Sequence, residues 1–333
     1  MKQTTGCFDY RDIRYRYRAW LPEVACDGAP MVLVHGFSQS SETWQEVAPL
    51  FAQRRPVYAL DLVGHGGSQV PNQAAPYLLA RQAEALLAFV RSVTEGHIKC
   101  HIVETEGAEA AGAGASEGKG AGAKSSSAGA GVSEGKGASK KAIAVGYSLG
   151  GRVLVEAACL QPQEFAREIS AAILESAGLG QATEQDVAAA AEKDHACAQR
   201  LRESGLAAFM NWWERQPVFA TQSDLDETLR SQLRADRLAN DEEALARTFE
   251  YAGQHCMPLR AEVITAGQRL LRSGVRLGYV TGQRDKKYRM LARMIRQNED
   301  FAKMKSVIVS GVGHNVHLED PRAFVDVVED MLA

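Results

Sequence analysis

Ala142-Ile143-Ala144-Val145-Gly146-Tyr147-Ser148-Leu149-Gly150-Gly151-Arg152 is the stretch that decides the fold. Ala142 to Val145 is a short apolar run that reads as a buried strand, and Leu149 to Leu160 reads as a helix. Between them, small residues flank a single serine. A strand-to-helix turn this tight forces strained backbone angles and brings strand and helix into close approach, which glycine tolerates. Ser148 is therefore raised at the end of a strand, where its hydroxyl can act as a nucleophile or base.

Working outward, short branched-aliphatic runs alternate with longer helical patterns, the mark of a parallel sheet covered by helices on both faces. Buried strands are expected at Met31 to Val34, Val57 to Leu60, Ala142 to Val145, Ala171 to Leu174, Val275 to Val280 and Val307 to Val309. Ile13 to Trp20 precedes them. There Ile13, Tyr15 and Tyr17 alternate with Arg14, Arg16 and Arg18, which suggests an antiparallel edge strand with one charged, solvated face. Helices are expected at Trp44 to Ala52, Tyr77 to Ser92, Leu149 to Leu160, Lys286 to Arg296 and Pro321 to Met331. Between Ala182 and Arg272 the strands stop and the pattern is continuously helical, as in a lid inserted over the strand ends.

Composition excludes several classes. The 333 residues carry 38 Lys plus Arg against 41 Asp plus Glu, so the chain is not a strongly basic nucleic-acid binder. No apolar run reaches the roughly 18 residues of a membrane span, and the first twenty residues lack the apolar core of an export signal, so neither a membrane nor export is expected. Six cysteines are scattered without a C-x-x-C pair, which suggests free thiols and no metal knuckle. Glu106 to Ser139 is almost entirely Ala, Gly, Ser, Glu and Lys, with SEGKGA occurring twice. That composition cannot bury enough apolar surface to offset its ordering entropy, so a disordered surface loop within one domain spanning 1–333 is expected.

A serine hydroxyl needs an imidazole to take its proton, and the imidazole needs a carboxylate to fix its tautomer. In this fold class the order along the chain is Ser, acid, His. Asp285, in Thr-Gly-Gln-Arg-Asp after one strand, and His314, in Gly-Val-Gly-His-Asn after the last, fit that order. His317 competes with His314, and Glu175 and Asp61 also close strands and compete with Asp285. His35 and His65 read as loop organisers. The backbone N–H groups of Leu149, after the serine, and of Phe37, in His35-Gly36-Phe37, are the expected oxyanion donors.

His35-Gly36-Phe37-Ser38 with Trp44, Gly64 to Ser68, Gly146 to Arg152, Glu175-Ser176, Trp213 with Gln216-Pro217-Val218-Phe219, Gly282 to Asp285, and Gly313-His314-Asn315 with His317 and Glu319 carry a resemblance. Together they resemble the 2-succinyl-6-hydroxy-2,4-cyclohexadiene-1-carboxylate synthase family of menaquinone and phylloquinone biosynthesis, within the α/β-hydrolase superfamily. The resemblance covers the chain outside the low-complexity segment. It implies an α/β-hydrolase fold with a helical lid at about 182–272, and a lyase that eliminates pyruvate from 2-succinyl-5-enolpyruvyl-6-hydroxy-3-cyclohexene-1-carboxylate without metal or cofactor. This substrate is a small tricarboxylate. Arg152, one helical turn beyond Ser148, can hold a carboxylate bidentately.

The resemblance further implies Arg234 as a second carboxylate ligand, and Tyr147 and Trp213 as pocket residues. It departs at Ala188-Ala189-Ala190-Ala191-Glu192-Lys193, where the family carries another arginine. A carboxylesterase or C–C bond hydrolase using the same triad, and a catalytically idle domain of a multienzyme assembly, are the alternatives. Neighbouring quinone-pathway enzymes would be partners. The setting would be the cytoplasm of a bacterium, or the plastid stroma for a domain of a photosynthetic eukaryote's multienzyme.

Deleting Gly107 to Gly137 is expected to leave thermal stability and turnover nearly unchanged, because loop-closure entropy varies only logarithmically with length. Melting curves and initial rates of the deletion variant check this; cooperative loss of folding would contradict it.

Overall fold

Strands β1 (Lys2–Tyr10) and β2 (Ile13–Leu21) form an antiparallel hairpin turned by Arg11 and Asp12, both at positive φ, as a tight hairpin turn requires. They are followed by β3 (Met31–Val34), β4 (Val57–Leu60), a two-residue β5 (Cys100–His101), β6 (Ala142–Tyr147), β7 (Ile169–Glu175), β8 (Arg276–Gly282) and β9 (Lys305–Val309). The computed structural model describes residues 1–24, 26–98, 100–101, 140–301 and 303–333, and the expectation for 106–139 lies outside them. The described strands make one sheet in the order β5-β1-β2-β4-β3-β6-β7-β8-β9. From β4 to β9 every pairing is parallel, while β1 pairs antiparallel with both β2 and β5, and β2 with β4.

The edge expected at β2 is therefore corrected. β2 lies inside the sheet, with β1 hydrogen-bonded along one side and β4 along the other. Its alternation is real, with Ile13, Tyr15 and Tyr17 buried and Arg14 and Arg16 exposed. One solvated face does not imply a free edge. The polar run of β1 carries little apolar signal, so periodicity does not find it.

Helices α1 (Ala48–Phe51), α2 (Leu79–Thr94), α3 (Leu149–Leu160) and α4 (Pro162–Glu168) lie between the earlier strands. Next come α5 (Glu184–Ser204), α6 (Leu206–Trp213), α7 (Glu227–Leu238), α8 (Glu242–Ala252) and α9 (Arg260–Arg272), and then α10 (Lys286–Gln297), α11 (Val316–Glu319) and α12 (Pro321–Leu332). Successive strand residues point to opposite faces. Val32, Ala144, Ala172 and Tyr279 accordingly join the layer under α2, α3 and α9, whereas Leu33, Val145, Ile173 and Val280 join the layer under α1 and α12.

A third apolar cluster, with Ala198, Leu201, Phe209, Leu245 and Phe249, is built by α5, α6 and α8, with Phe37 packed against it. These helices, with α7, form the insertion above the strand ends. Helix α9 falls inside the 182–272 span expected of the lid but packs elsewhere: Val263 and Leu270 are buried in the sheet layer beside α3 and α4. Its amphipathic pattern is the same whichever layer buries it.

Two polar contacts tie α7 to the loop after β3. Ser40 Oγ donates to Asp236 Oδ1 at 2.6 Å, and Asn240 Nδ2 donates to the Ser38 carbonyl at 3.1 Å. Burial pushes Asp236 up to about 6 against the lowering effect of the Ser40 bond, and nearby Asp61 adds to the rise. Between the ordinary value of 3.8 and about 6 the folded chain holds a proton that the unfolded chain has lost. Stability therefore falls as pH rises through that window, and the cost is complete above it. Asp236→Asn keeps an acceptor for Ser40 and removes the charge. Its Tm is expected to fall less than the wild type's between about pH 4 and about pH 7, as thermal melts at the two pH values would show.

Candidate active site

Every element of the site lies at the carboxyl end of a parallel strand, where an open α/β sheet gathers its loops. Ser148 follows β6 with φ of 49° and ψ of −101°, a conformation that L residues rarely adopt. The glycines explain how the turn is held. A Cβ at Gly150 would sit 2.2 Å from the Val34 carbonyl oxygen, and one at Gly151 would sit 2.3 Å from Ala177 Cβ. Only bare backbone lets α3 start so close to β3. The Ser148 amide donates to the Glu175 carbonyl at 2.9 Å and fixes the turn from the other side.

Asp285 follows β8 and His314 follows β9. Their loops converge because Gly282 and Gly313 carry no side chain: a Cβ at Gly282 would lie 2.1 Å from the Gly313 carbonyl oxygen. Glu319 braces the second loop by accepting from the Gly313 amide at 2.6 Å and from Thr221 Oγ1 at 2.9 Å. In the result, His314 Nδ1 is 2.6 Å from Asp285 Oδ2, and His314 Nε2 is 3.3 Å from Ser148 Oγ. Asp285 Oδ1 also accepts from the Tyr288 amide, so one carboxylate orients the imidazole and caps α10.

The rival residues are engaged elsewhere. Glu175 Oε2 lies 2.6 Å from His317 Nδ1, both side chains are fully buried, and His317 stacks on Trp44 at 3.9 Å between ring centroids. Asp61 accepts from the Ser41 and Gly67 amides. His35 donates to the Gly36 carbonyl and accepts from the Leu62 amide, and His65 bonds the Val63 carbonyl. Burial lowers His35 to about 4 and His65 to about 3, so both are neutral organisers of the loops around Phe37.

Leu149 is the first residue of α3, so its N–H has no intrahelical acceptor. Among the described residues no hydrogen bond uses the amide of Leu149 or of Phe37. Tyr147 is buried beneath the site with its ring 5.3 Å from that of His314, and burial followed by the Glu175 charge raises its pKa well above the ordinary value. Above the site, Trp213 packs at 5.4 Å on Phe37 and 5.5 Å on Phe219, whose ring in turn lies 5.8 Å from His314. The insertion thus contributes an aromatic roof.

Two arginines enter this enclosure. Arg152 is 8% exposed, and among the described residues its side chain makes no hydrogen bond or salt bridge; its Nε is wholly enclosed. Burial lowers its pKa, and Asp194, Tyr288 and Cys256 are the charged or titratable groups nearest enough to raise it. The other is Arg237, 4% exposed, which donates to Glu214 Oε1 at 3.1 Å and Gln222 Oε1 at 2.8 Å and lies over the Phe219 ring. Among the described residues its Nε has no hydrogen-bond partner. Arg234, the residue expected from resemblance, is half-buried and is held by Glu214 and Asn211. Arg230, Arg234 and Arg237 share helical spacing, and only packing against Phe219 and Gln222 decides which turns inward. Among the described residues, no group of three or more His, Cys, Asp or Glu side chains is placed to hold a metal ion.

A model of the alpha/beta hydrolase family matches residues 31–327. The 2-succinyl-6-hydroxy-2,4-cyclohexadiene-1-carboxylate synthase of Salmonella paratyphi C is 28% identical over 306 residues, 92% of this chain and 94% of that protein. Among solved structures, MenH from S. aureus is similar with a TM-score of 0.71 at 21% identity, over 95% of this chain and 97% of that one. The enol-lactonase from Burkholderia xenovorans LB400 is similar with a TM-score of 0.66 at 15% identity, over 98% and 99%.

The two buried carboxylate–histidine pairs are expected to separate by mutation. Asp285→Asn retains the helix cap and should leave Tm within a few degrees while lowering kcat by roughly 100-fold or more, because the imidazolium loses its counter-charge. Glu175→Gln should instead destabilise by about 1 to 3 kcal/mol, since it disturbs a fully buried carboxylate–imidazole hydrogen bond and leaves a buried polar group without its partner. Paired melts and rate measurements on the two variants check this, and the reverse pattern would exchange the roles.

Proposed function

The chain belongs to the alpha/beta hydrolase family, and on that premise we propose that it is a lyase, 2-succinyl-6-hydroxy-2,4-cyclohexadiene-1-carboxylate synthase, acting on a tricarboxylate enolpyruvyl ether. The observation that carries this reading is the unpaired Arg152. A buried guanidinium with no hydrogen-bond or salt-bridge partner among the described residues is costly even with the Asp194 charge acting on it, and an enzyme for neutral esters would gain nothing from holding one a helical turn from its serine. A carboxylate on the substrate supplies the missing partner. Arg237, with its free Nε, offers a second anchor from the insertion, and Tyr147 and Trp213 line the space between.

In this reading His314, its cation stabilised by Asp285, takes the proton of Ser148, and the serine oxygen removes the ring proton next to the succinyl ketone. The C–H electron pair moves onto the ketone oxygen, where the N–H groups of Phe37 and Leu149 stabilise the enolate. Collapse of the enolate through the ring double bond breaks the carbon–oxygen bond to the enolpyruvyl group. That group leaves with its electron pair, takes up a proton and tautomerises to pyruvate. The net change is one elimination, with no oxidant, reductant or water consumed. The strained turn at Ser148 keeps its oxygen aimed into the pocket throughout.

Arg152→Leu is expected to lower kcat/KM for pyruvate release by roughly 30-fold to several thousand-fold, the range for leaving a buried charged group unpaired, while hydrolysis of 4-nitrophenyl acetate holds or rises. Arg152→Lys should recover only part, since an ammonium lacks the planar fork. Coupled pyruvate and ester assays on the same preparations decide this. Equal losses on both substrates would make Arg152 structural and remove the support for a lyase.

A further inference from the structure

Tyr288 touches the catalytic machinery at two points and is held by Gln254 at a third. Its amide donates to Asp285, its ring lies 4.9 Å from the His314 ring at a 36° tilt, and its hydroxyl accepts from Gln254 Nε2 at 3.3 Å. It is 4% exposed, so the ring is fixed between His314 and the base of the insertion. Because Gln254 is the donor in that bond, the hydroxyl's own hydrogen remains free to donate.

The direction of that donor follows from the packing around it. The Gln254 side chain fills the space beside Gly178, where a Cβ would lie 2.7 Å from Gln254 Oε1. Gly178 follows Ala177, which abuts Gly151, the residue preceding Arg152. Gln254, Gly178, Ala177 and Gly151 thus link the phenol to the start of α3 that carries Arg152, and Tyr288 is close enough to be among the groups that act on the Arg152 charge. An arginine without an acceptor and a phenol with an uncommitted proton form one donor surface.

We propose that the Tyr288 hydroxyl donates to the same substrate carboxylate that Arg152 holds, making it a specificity-determining residue for acids at this end of the pocket. This rests on the reading of Arg152 as a carboxylate ligand. The arrangement favours a carboxylate because its two oxygens accept from both donors at once, whereas an amide offers one acceptor oxygen. Gln254 acts through Tyr288 as a positioning residue, since its amide N–H holds the phenol oxygen.

The test uses tricarballylate, a saturated tricarboxylate that cannot eliminate, titrated calorimetrically into the wild type, Tyr288→Phe and Arg152→Leu. Tyr288→Phe keeps the ring against His314 and is expected to weaken binding about 10- to 150-fold, the range for one hydrogen bond to a charged group. It should raise KM for pyruvate release by a similar factor and leave the pH profile of kcat unchanged. Unchanged tricarballylate affinity in Tyr288→Phe would overturn the proposal, as would no measurable binding by the wild type. If Tyr288→Phe shifts the kcat pH profile and leaves affinity alone, its role is to orient His314 and the proposal is likewise wrong. A wild type that binds tricarballylate through both residues yet releases no pyruvate would overturn the lyase reading and leave this inference standing.

Discussion

A Cβ at Gly150 would lie 2.2 Å from the Val34 carbonyl oxygen, well inside any permitted contact, and this constraint governs the site. It allows α3 to begin almost in contact with β3 and forces Ser148 into its positive-φ conformation. The same close approach presents the N–H of Leu149 to the pocket rather than to a helical carbonyl. It also sets Arg152 one turn farther along the helix, where it is buried. Serine, oxyanion donor and cation are thus placed by one backbone crossing, and the sheet order that puts β3 beside β6 is what makes the crossing possible.

The electrostatics of the pocket are uneven in a useful way. Its base is neutral or internally paired: His317 with Glu175, His35 and His65 held uncharged by burial, and Tyr147 kept protonated. Among the described residues the Arg152 cation makes no salt bridge, though the Asp194 charge acts on it, while Arg237 in the roof shares Glu214 with Arg234. In a low-dielectric enclosure such a cation acts strongly on an entering anion and little on a neutral ester. Phe37, Trp213 and Phe219 pack into an aromatic wall beside His314.

Much of this was legible in the sequence because it depends on local rules. Met31 to Val34 and Val57 to Leu60 are strands with the expected bounds, since strands buried on both faces read as unbroken apolar runs. Ser148, Asp285 and His314 come together as their chain order implies, each just past a strand. What escaped depends on which side of an element faces inward. Arg234 and Arg237 are equivalent in a helical pattern, and only the contacts of α7 distinguish them. Helix α9 is amphipathic whether it covers the insertion or the sheet, and β2 alternates in the same way inside a sheet as at its edge. Tyr288 carried no signal because its neighbours Gln254, between α8 and α9, and His314, after β9, are brought together only by folding.

The central claim is that the serine turn serves an elimination from an acid, and counting pyruvate tests it most directly. Purified chain is mixed with 2-succinyl-5-enolpyruvyl-6-hydroxy-3-cyclohexene-1-carboxylate, and pyruvate is followed by a coupled assay beside the Ser148→Ala variant. The account predicts one pyruvate per substrate consumed, with the rate lost in Ser148→Ala. Substrate left intact by the wild type, or pyruvate released equally fast by Ser148→Ala, would contradict it.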